Sequence, residues 1–189
     1  MKKLIIGFAI TTSLFAFSPK QKGIAQIVYD QWDLVEINGR KYPSTGVAIC
    51  KTETSLGNQL IGDMNKNVLE ASLGIMQVRI STARFVSRVY DELGFLSELS
   101  DRQLVNRLII DHKLNAKVAV YYFKWCFERY KTYFKATSAF NGGLKNTAYY
   151  NRVMKNRKIT KSLIKEIKGE WYGNRTIWSY GNRSRGVYY

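Results

Sequence analysis

The sequence predicts a mainly α-helical domain. Hydrophobic residues make up 46% of the 189 residues, which is enough for one sizeable core. They recur at helical spacing over most of the chain, and Gly57, Gly94 and Gly169 follow such stretches as natural helix ends. No internal repeat or low-complexity linker divides the chain. We therefore expect one domain.

Start and stop signals place the individual helices. Pro43, with the hydroxyl residues that follow it, can begin a helix that runs to Gly57. Ser100 and Gln103 have the spacing of a capping box, which predicts a helix that continues to Ile110. The remaining predictions are a loop over residues 58–72 and helices over about 81–93, 114–134, 136–141, 146–156 and 160–168.

The first 18 residues have the pattern of a secretory signal peptide. Two lysines precede an uncharged run over residues 4–17, and Ala16-Phe17-Ser18 places small residues where signal peptidase cuts. The run is shorter than the roughly 20 residues that a membrane-spanning helix needs, which disfavours a membrane anchor. A second possible cut follows Ala25. We expect removal of residues 1–18 and a periplasmic or secreted protein.

The chain is strongly basic, with a formal net charge of +16, and this predicts attraction to polyanions. Export argues against nucleic acid as the working partner, although a basic nucleic-acid binder remains an alternative. We expect the main domain to cover residues 19–160 and a basic, aromatic extension to cover 161–189. The aromatic side chains of that extension can stack on sugars or fold back onto the domain, and the second interpretation is favoured slightly.

The long predicted helix over residues 114–134 carries one apolar stripe, which we interpret as core rather than as a sugar-stacking surface. Its members are Val118, Tyr122, Cys126 and Tyr130. Cys126 and Cys50 are the only two cysteines. They can pair in an oxidising compartment or remain buried thiols, and the sequence leaves both open.

Several common chemistries are excluded by what the chain lacks. His112 is the only histidine, and no Gly-x-Ser-x-Gly elbow is present to support a serine nucleophile. One histidine and two separated cysteines give no zinc pattern, and there is no glycine-rich phosphate loop. We therefore expect no metal and no cofactor.

Three short motifs remain that can carry chemistry. They are Thr52-Glu53-Thr54-Ser55, then Ser72-Leu73-Gly74-Ile75-Met76-Gln77-Val78, then Ala139-Phe140-Asn141-Gly142-Gly143 followed by Tyr149 and Val153. In this order they resemble the soluble lytic transglycosylase domain, a family with a lysozyme-like helical fold and a glycan-binding cleft. That family usually has Glu-Ser, Gly-Leu-Met-Gln and Ala-Tyr-Asn-Ala-Gly, then Tyr and Val. The resemblance covers roughly residues 40–155.

The resemblance implies a role for each matching residue. Glu53 is implied as the catalytic acid and base, and Thr54 stands where the family's serine contacts substrate. Met76 and Gln77 are implied to line the cleft floor. The other implied site residues are Asn141, which holds the loop that shapes the site, Tyr149, which faces the sugar or the acid with Tyr150 as its competitor, and Phe140, which replaces the usual tyrosine.

The residues around Glu53 support the same role independently. Ile49 and Cys50 lie one turn earlier on the predicted helix and share its face. A carboxyl group beside apolar side chains resists ionisation, so we expect a raised pKa. Asp63 and Glu70 are the candidates for a second carboxylate, although loop acids are mostly solvated.

The resemblance implies an enzyme that cuts the glycan strands of peptidoglycan. The implied reaction cleaves the β-1,4 bond between N-acetylmuramic acid and N-acetylglucosamine and leaves 1,6-anhydromuramic ends. A hydrolytic muramidase and a non-catalytic wall-binding subunit of a secretion or conjugation machine are the alternatives. We expect a monomer, and the small size suggests local opening of the wall for a secretion, conjugation or appendage machine, or for a phage.

Overall fold

The computed structural model describes residues 17–63 and 67–169, and it confirms the mainly helical prediction. Residues 1–16 of the expected signal peptide and the aromatic segment 170–189 lie outside the described residues. The helices in chain order are α1 (Pro19–Asp33), α2 (Pro43–Thr54), α3 (Ile80–Val89), a 3-10 helix (Asp91–Glu98), α4 (Asp101–Ile110), α5 (His112–Tyr130), α6 (Tyr133–Phe140), α7 (Thr147–Ile159) and α8 (161–169).

Capping residues explain where two of these helices begin. The Ser100 side chain accepts a hydrogen bond from the backbone N–H of Gln103, and the Gln103 side chain accepts one from the backbone N–H of Ser100. This is the capping box that the sequence predicts for α4. Ser18 and Gln21 form a second capping box at the start of α1.

The long helix α5 is the centre of the fold. It packs against α1, α3, α4 and α6, and its Val118, Phe123 and Cys126 side chains are fully buried. The Phe123 ring lies 5.2 Å from the ring of Trp32 on α1, measured between centroids. Gly46 of α2 fits against the same Trp32 ring, because a Cβ atom at this position would lie 2.3 Å from it. The three helices α1, α2 and α5 therefore share one tightly packed core.

Three predicted helices end earlier than the sequence indicates, and two of them are the helices predicted over 114–134 and 81–93. The helix predicted over 114–134 ends at Tyr130, because Lys131 takes a left-handed conformation with φ of +61°. Thr132 then caps α6 by accepting a hydrogen bond from the Lys135 N–H, which starts a new helix that folds back along α5.

The helix predicted over 81–93 is also shorter than predicted, since α3 ends at Val89. Tyr90 is extended, and the next eight residues form the 3-10 helix in place of further α-helical turns. Val89, the last residue of α3, is 44% exposed, whereas Val86 is buried.

Helix α8 packs into the same domain as the helices before it. Leu163 and Ile167 are buried in the core, and Glu166 forms an ion pair with Lys22 of α1. The expected boundary at residue 160 therefore falls just before a helix that contributes to the same core.

The start of α1 distinguishes the two expected cleavage sites. Ile24 and Ala25 are buried in the core, so a cut after Ala25 would remove core residues. A cut after Ser18 leaves the whole of α1 in place. Among the described residues, none of the helices combines the length and the apolar character needed to cross a bilayer.

Both cysteines are free thiols in the structure, and both are buried. Burial raises the pKa of each thiol to about 12. The sequence leaves open a disulfide or two buried thiols, and the structure has the buried thiols.

Candidate active site

Glu53 lies in the last turn of α2 and faces an open cleft of about 510 Å³. One turn earlier, Ile49 and Cys50 are fully buried, as their shared helix face predicts. Glu53 itself is partly buried. The other cleft-lining residues come from the loop before the glycine turn, the turn itself, α3, α5 and the end of α6; they include Asp63, Ser72, Gln77, Arg79, Thr82, Tyr122, Phe140 and Asn141.

Tyr149 contacts Glu53, the candidate catalytic residue, directly. Its hydroxyl donates a hydrogen bond of 2.5 Å to Glu53 Oε1, and its side chain is only 1% exposed. Asn146 caps α7 by accepting from the Tyr149 backbone N–H at 3.0 Å. A second hydrogen bond joins the same two helices, from Asn156 Nδ2 to Thr52 Oγ1 at 2.9 Å. The end of α2 is therefore fixed against α7 at both Thr52 and Glu53.

Burial raises the pKa of Glu53 above its usual value, and two neighbours partly oppose this effect. The hydrogen bond from Tyr149 stabilises the carboxylate, and so does the positive charge of Arg152. The Arg152 guanidinium lies over the Tyr149 ring, 5.6 Å from its centroid. Burial and the Glu53 charge raise the pKa of Tyr149 well above its usual value, so its hydroxyl remains a donor.

The floor of the cleft is the turn over residues 73–78. Leu73 and Val78 exchange backbone hydrogen bonds of 3.0 and 2.8 Å, which close the turn. Gly74 has φ of +72°, and a Cβ atom there would lie 2.1 Å from the Leu108 carbonyl oxygen. Only glycine fits this position, which explains the glycine of the second motif.

Asn115 of α5 holds the turn in place. The side chain is fully buried, and its Oδ1 accepts from the Met76 N–H at 2.8 Å. Its Nδ2 donates to the carbonyl oxygens of Leu73, at 2.9 Å, and Leu108, at 3.0 Å. Sequence reasoning missed this residue. A single amide side chain within an apolar helical stretch predicts a buried hydrogen-bonding role, and this pattern would have identified Asn115.

Thr54, which the resemblance implies as a substrate contact, is buried and does not line the cleft. It is 3% exposed, and its hydroxyl donates to the Ile75 carbonyl oxygen at 2.9 Å and accepts from the Gly57 N–H at 2.9 Å. These bonds end α2 at Thr54, three residues before the predicted stop, and the left-handed residues Ser55, Leu56 and Gly57 follow. Thr54 therefore connects the end of α2 to the glycine turn.

Met76 and Gln77 both belong to the cleft floor, but at different depths. Met76 is fully buried beneath the surface, whereas Gln77 is partly exposed. The Gln77 side chain donates to the Gly74 carbonyl oxygen at 3.0 Å, and its backbone has φ of +51°. Gln77 is thus the member of the pair that a ligand in the cleft can reach.

The third motif forms the opposite wall of the cleft. Phe140 and Asn141 line it, and the Phe140 ring lies 5.6 Å from the ring of Tyr122. Asn141 Oδ1 accepts from Asn146 Nδ2 at 3.0 Å, so Asn141 contacts the residue that caps α7. Tyr122, interpreted from its spacing as core, is partly exposed and lines the cleft. Helical spacing indicates a shared face but does not tell which part of that face opens onto a cleft.

Three further candidates from the sequence differ in whether they line the cleft. Tyr150, the competitor of Tyr149, packs its ring against Phe134 at 5.0 Å and does not line the cleft. Asp63 lines the cleft rim and pairs with Arg79 at 3.4 Å, whereas Glu70 is exposed and does not line it. Within residues 17–63 and 67–169, no group of three or more His, Cys, Asp or Glu side chains is arranged to hold a metal ion.

The helical fold and the hydrogen-bonded acid facing an open cleft are those of a lysozyme-like domain. The transglycosylase SLT domain family matches residues 36–163, and the chain belongs to this family. This confirms the resemblance that the three motifs predict. Searches of curated proteins and of solved structures returned no significant match. Family membership implies, in general terms, a transglycosylase-like activity on peptidoglycan.

The glycine turn gives a first prediction. We expect Gly74→Ala to lower the free energy of unfolding by about 3 kcal/mol, because the added methyl group meets backbone and the side chain of Asn115. Gly142→Ala is the matched control, since Gly142 has φ of +85° but no atom within 4 Å of the added Cβ. It should cost only about 1 kcal/mol from backbone strain. Urea denaturation of both variants measures the difference, and equal losses would contradict the steric argument.

The hydrogen bond between Tyr149 and Glu53 gives a second prediction. Tyr149→Phe removes a bond that stabilises the carboxylate, so the pKa of Glu53 should rise further. We expect the basic limb of the pH profile of kcat/KM on isolated cell wall to move to higher pH, with activity reduced about tenfold at the optimum. Tyr150→Phe keeps its ring packing and should leave the profile unchanged. A basic limb in the same position for both variants argues against Glu53 as the titrating acid.

Proposed function

We propose that the protein is a lytic transglycosylase that cleaves the β-1,4 bond between N-acetylmuramic acid and N-acetylglucosamine in peptidoglycan and leaves 1,6-anhydromuramic ends. The observation that carries this proposal is the environment of Glu53. Its carboxyl group is partly buried at an open cleft, has a raised pKa and accepts a short hydrogen bond from Tyr149. A raised pKa keeps the acid protonated closer to neutral pH, which general acid catalysis requires.

The proposed reaction uses this one carboxyl group twice. Protonated Glu53 gives its proton to the glycosidic oxygen, and the bond from that oxygen to the muramic C1 breaks. The oxygen of the sugar's own N-acetyl group bonds to C1 and carries the positive charge. Ionised Glu53 then removes the proton from the C6 hydroxyl, O6 bonds to C1, and the N-acetyl oxygen leaves. The 1,6-anhydro ring closes without water, and Glu53 is protonated again.

The neighbours of Glu53 suit both proton transfers. Tyr149 donates to Oε1, which leaves Oε2 for the exchange with substrate. After the first transfer the new carboxylate is stabilised by that bond and by the charge of Arg152. Burial acts in the opposite direction and is the larger effect, so the pKa is raised overall. The surroundings thus favour the protonated acid, while Tyr149 and Arg152 support the carboxylate that must act as the base.

A hydrolytic muramidase is the second candidate, and one observation favours it. Asp63 lines the same cleft as Glu53 and offers a second carboxylate that could activate water. Two points weigh against this use of Asp63. It is exposed, and it forms an ion pair with Arg79, which engages one of its oxygens.

We also propose that the protein acts outside the cytoplasm, after removal of residues 1–18, as a monomer that opens the wall locally for a larger machine. The signal-peptide pattern and the start of α1 directly after Ser18 support export. A non-catalytic role is disfavoured, because a subunit without activity has no need to retain a partly buried acid with a hydrogen-bond donor.

A third prediction tests the reaction. We expect Glu53→Gln to reduce release of muropeptides from isolated wall by on the order of a hundred- to ten-thousand-fold, with the fold unchanged by circular dichroism. Mass analysis should find anhydro ends, which borohydride does not reduce, in the wild-type digest. Asp63→Asn is the matched control and should keep both the activity and the anhydro ends. Reducible ends from the wild type, with loss of activity in Asp63→Asn, would favour the muramidase.

A fourth prediction concerns stability. Folding raises the pKa of Glu53 above its ordinary 4.5, so the folded chain holds this proton more tightly than the unfolded chain. The contribution of Glu53 to stability is therefore fully present below pH 4.5 and is lost as the pH rises through the raised pKa. Glu53→Gln removes this loss, so its melting temperature should exceed that of the wild type by a few degrees at neutral pH but not at pH 4.

Scanning calorimetry at several pH values measures this difference. Glu70→Gln, which removes a carboxylate from an exposed loop position, is the control for the loss of one negative charge. A difference between Glu53→Gln and the wild type that does not change with pH would contradict the prediction.

A further inference from the structure

A second concave surface lies between α7, α8 and the first turn of α2, and it shares no lining residue with the cleft. We call it the basic groove; its volume is about 490 Å³. Its cationic lining residues are Arg157, Lys158, Lys161, Lys165 and Lys168. Among the described residues, no acidic side chain lines it. The groove is therefore a concentrated, uncompensated positive surface.

Helix stability does not explain this charge pattern. Arg157 and Lys158 suit the C-terminal turn of α7, where the helix dipole favours cations. Lys161, however, is the first residue of α8, where the dipole disfavours a positive charge. Lys161 and Lys165 are also four residues apart on one helix, a spacing at which like charges repel. The chain thus keeps these lysines at a small cost to helix stability.

The acid on α8 does not relieve the repulsion. Glu166 forms its ion pair with Lys22 of α1 and is not part of the groove lining. Ser44 also lines the groove at the start of α2, where the helix dipole adds some positive character.

The floor of the groove is apolar. Met154 of α7 is partly buried, and Ile164 of α8 is 7% exposed; both line the groove between the cationic side chains. A phosphodiester polymer or a glycan phosphate has no aliphatic side chains to cover such a floor. An amphipathic polypeptide has both the acidic groups and the aliphatic groups that this surface would bind.

We propose that the basic groove binds an acidic, amphipathic helix of a partner protein, with carboxylates against the lysines and aliphatic side chains against Met154. The chain's own segment 170–189 does not fit this description, because it contains one acid, Glu170, and three arginines. A second copy is disfavoured by the net charge of +16. This binding would keep the enzyme beside its partner while the separate cleft remains free for glycan.

The test uses the whole protein and a defined probe. The probe is a fluorescent 16-residue helical peptide with leucines on one face and glutamates beside them, and its binding is followed by fluorescence anisotropy. We expect the double variant Lys161→Gln, Lys165→Gln to bind it about tenfold more weakly than the wild type does. The matched control, Lys113→Gln with Lys135→Gln, loses the same charge at exposed positions outside the groove and should change binding less than twofold.

Three further measurements distinguish this proposal from general attraction to polyanions. Met154→Ser should weaken binding of the probe, and a peptide with serine in place of leucine should bind the wild-type protein several-fold more weakly. A DNA duplex tests a phosphate polymer. The proposal is overturned if the control variant loses as much affinity as the groove variant, or if the leucine-free peptide or the duplex binds as tightly as the probe.

None of these measurements depends on wall cleavage, so they stand apart from the proposed reaction. Circular dichroism checks that the variants remain folded, and digestion of isolated wall should be unchanged in the groove variant. If a variant fails to fold, the charge-reversed peptide, with lysines in place of glutamates, tests the wild-type protein alone. Tight binding of that peptide would contradict the proposal.

Discussion

The hydrogen bond from Tyr149 to Glu53 is the interaction on which the candidate site depends. It joins α2, which is buried over most of its length, to α7, which carries few buried residues of its own. Because the Tyr149 ring is almost completely buried, the hydroxyl has little freedom to leave the carboxyl group. The same contact therefore orients the acid, helps to dock α7 and sets the balance between the two protonation states of Glu53.

The buried amide of Asn115 has a comparable role on the other side of the cleft. It accepts from one backbone N–H and donates to two backbone carbonyl groups inside the core. The turn that it holds also receives a hydrogen bond from Thr54, next in sequence to Glu53. The acid and the cleft floor are thus connected by short polar contacts inside an apolar core, and each contact limits the movement of the other.

The sequence predicts the parts of this site that depend on local chemistry. The roles of Glu53 and the glycine turn follow from the motifs that resemble the family, the capping box of α4 follows from residue type and spacing, and the fold class follows from periodicity. Thr54 and Tyr122 could not be placed in this way, because tertiary packing decides which side of a helix opens onto a cleft. The end of α5 before Lys131 could not be predicted either, because lysine rarely takes a left-handed conformation. The cap at Thr132 then starts the next helix.

The two buried thiols have a practical consequence. Since Cys50 and Cys126 are unpaired, the fold needs no oxidant to form its covalent structure and can be produced in a reducing cytoplasm. Thiols with a pKa of about 12 and no access to solvent react slowly with alkylating reagents. The rate at which each thiol is labelled should therefore measure how often the core opens around it. Cys50 reports on α2, the helix that carries Glu53, and Cys126 reports on the central helix α5.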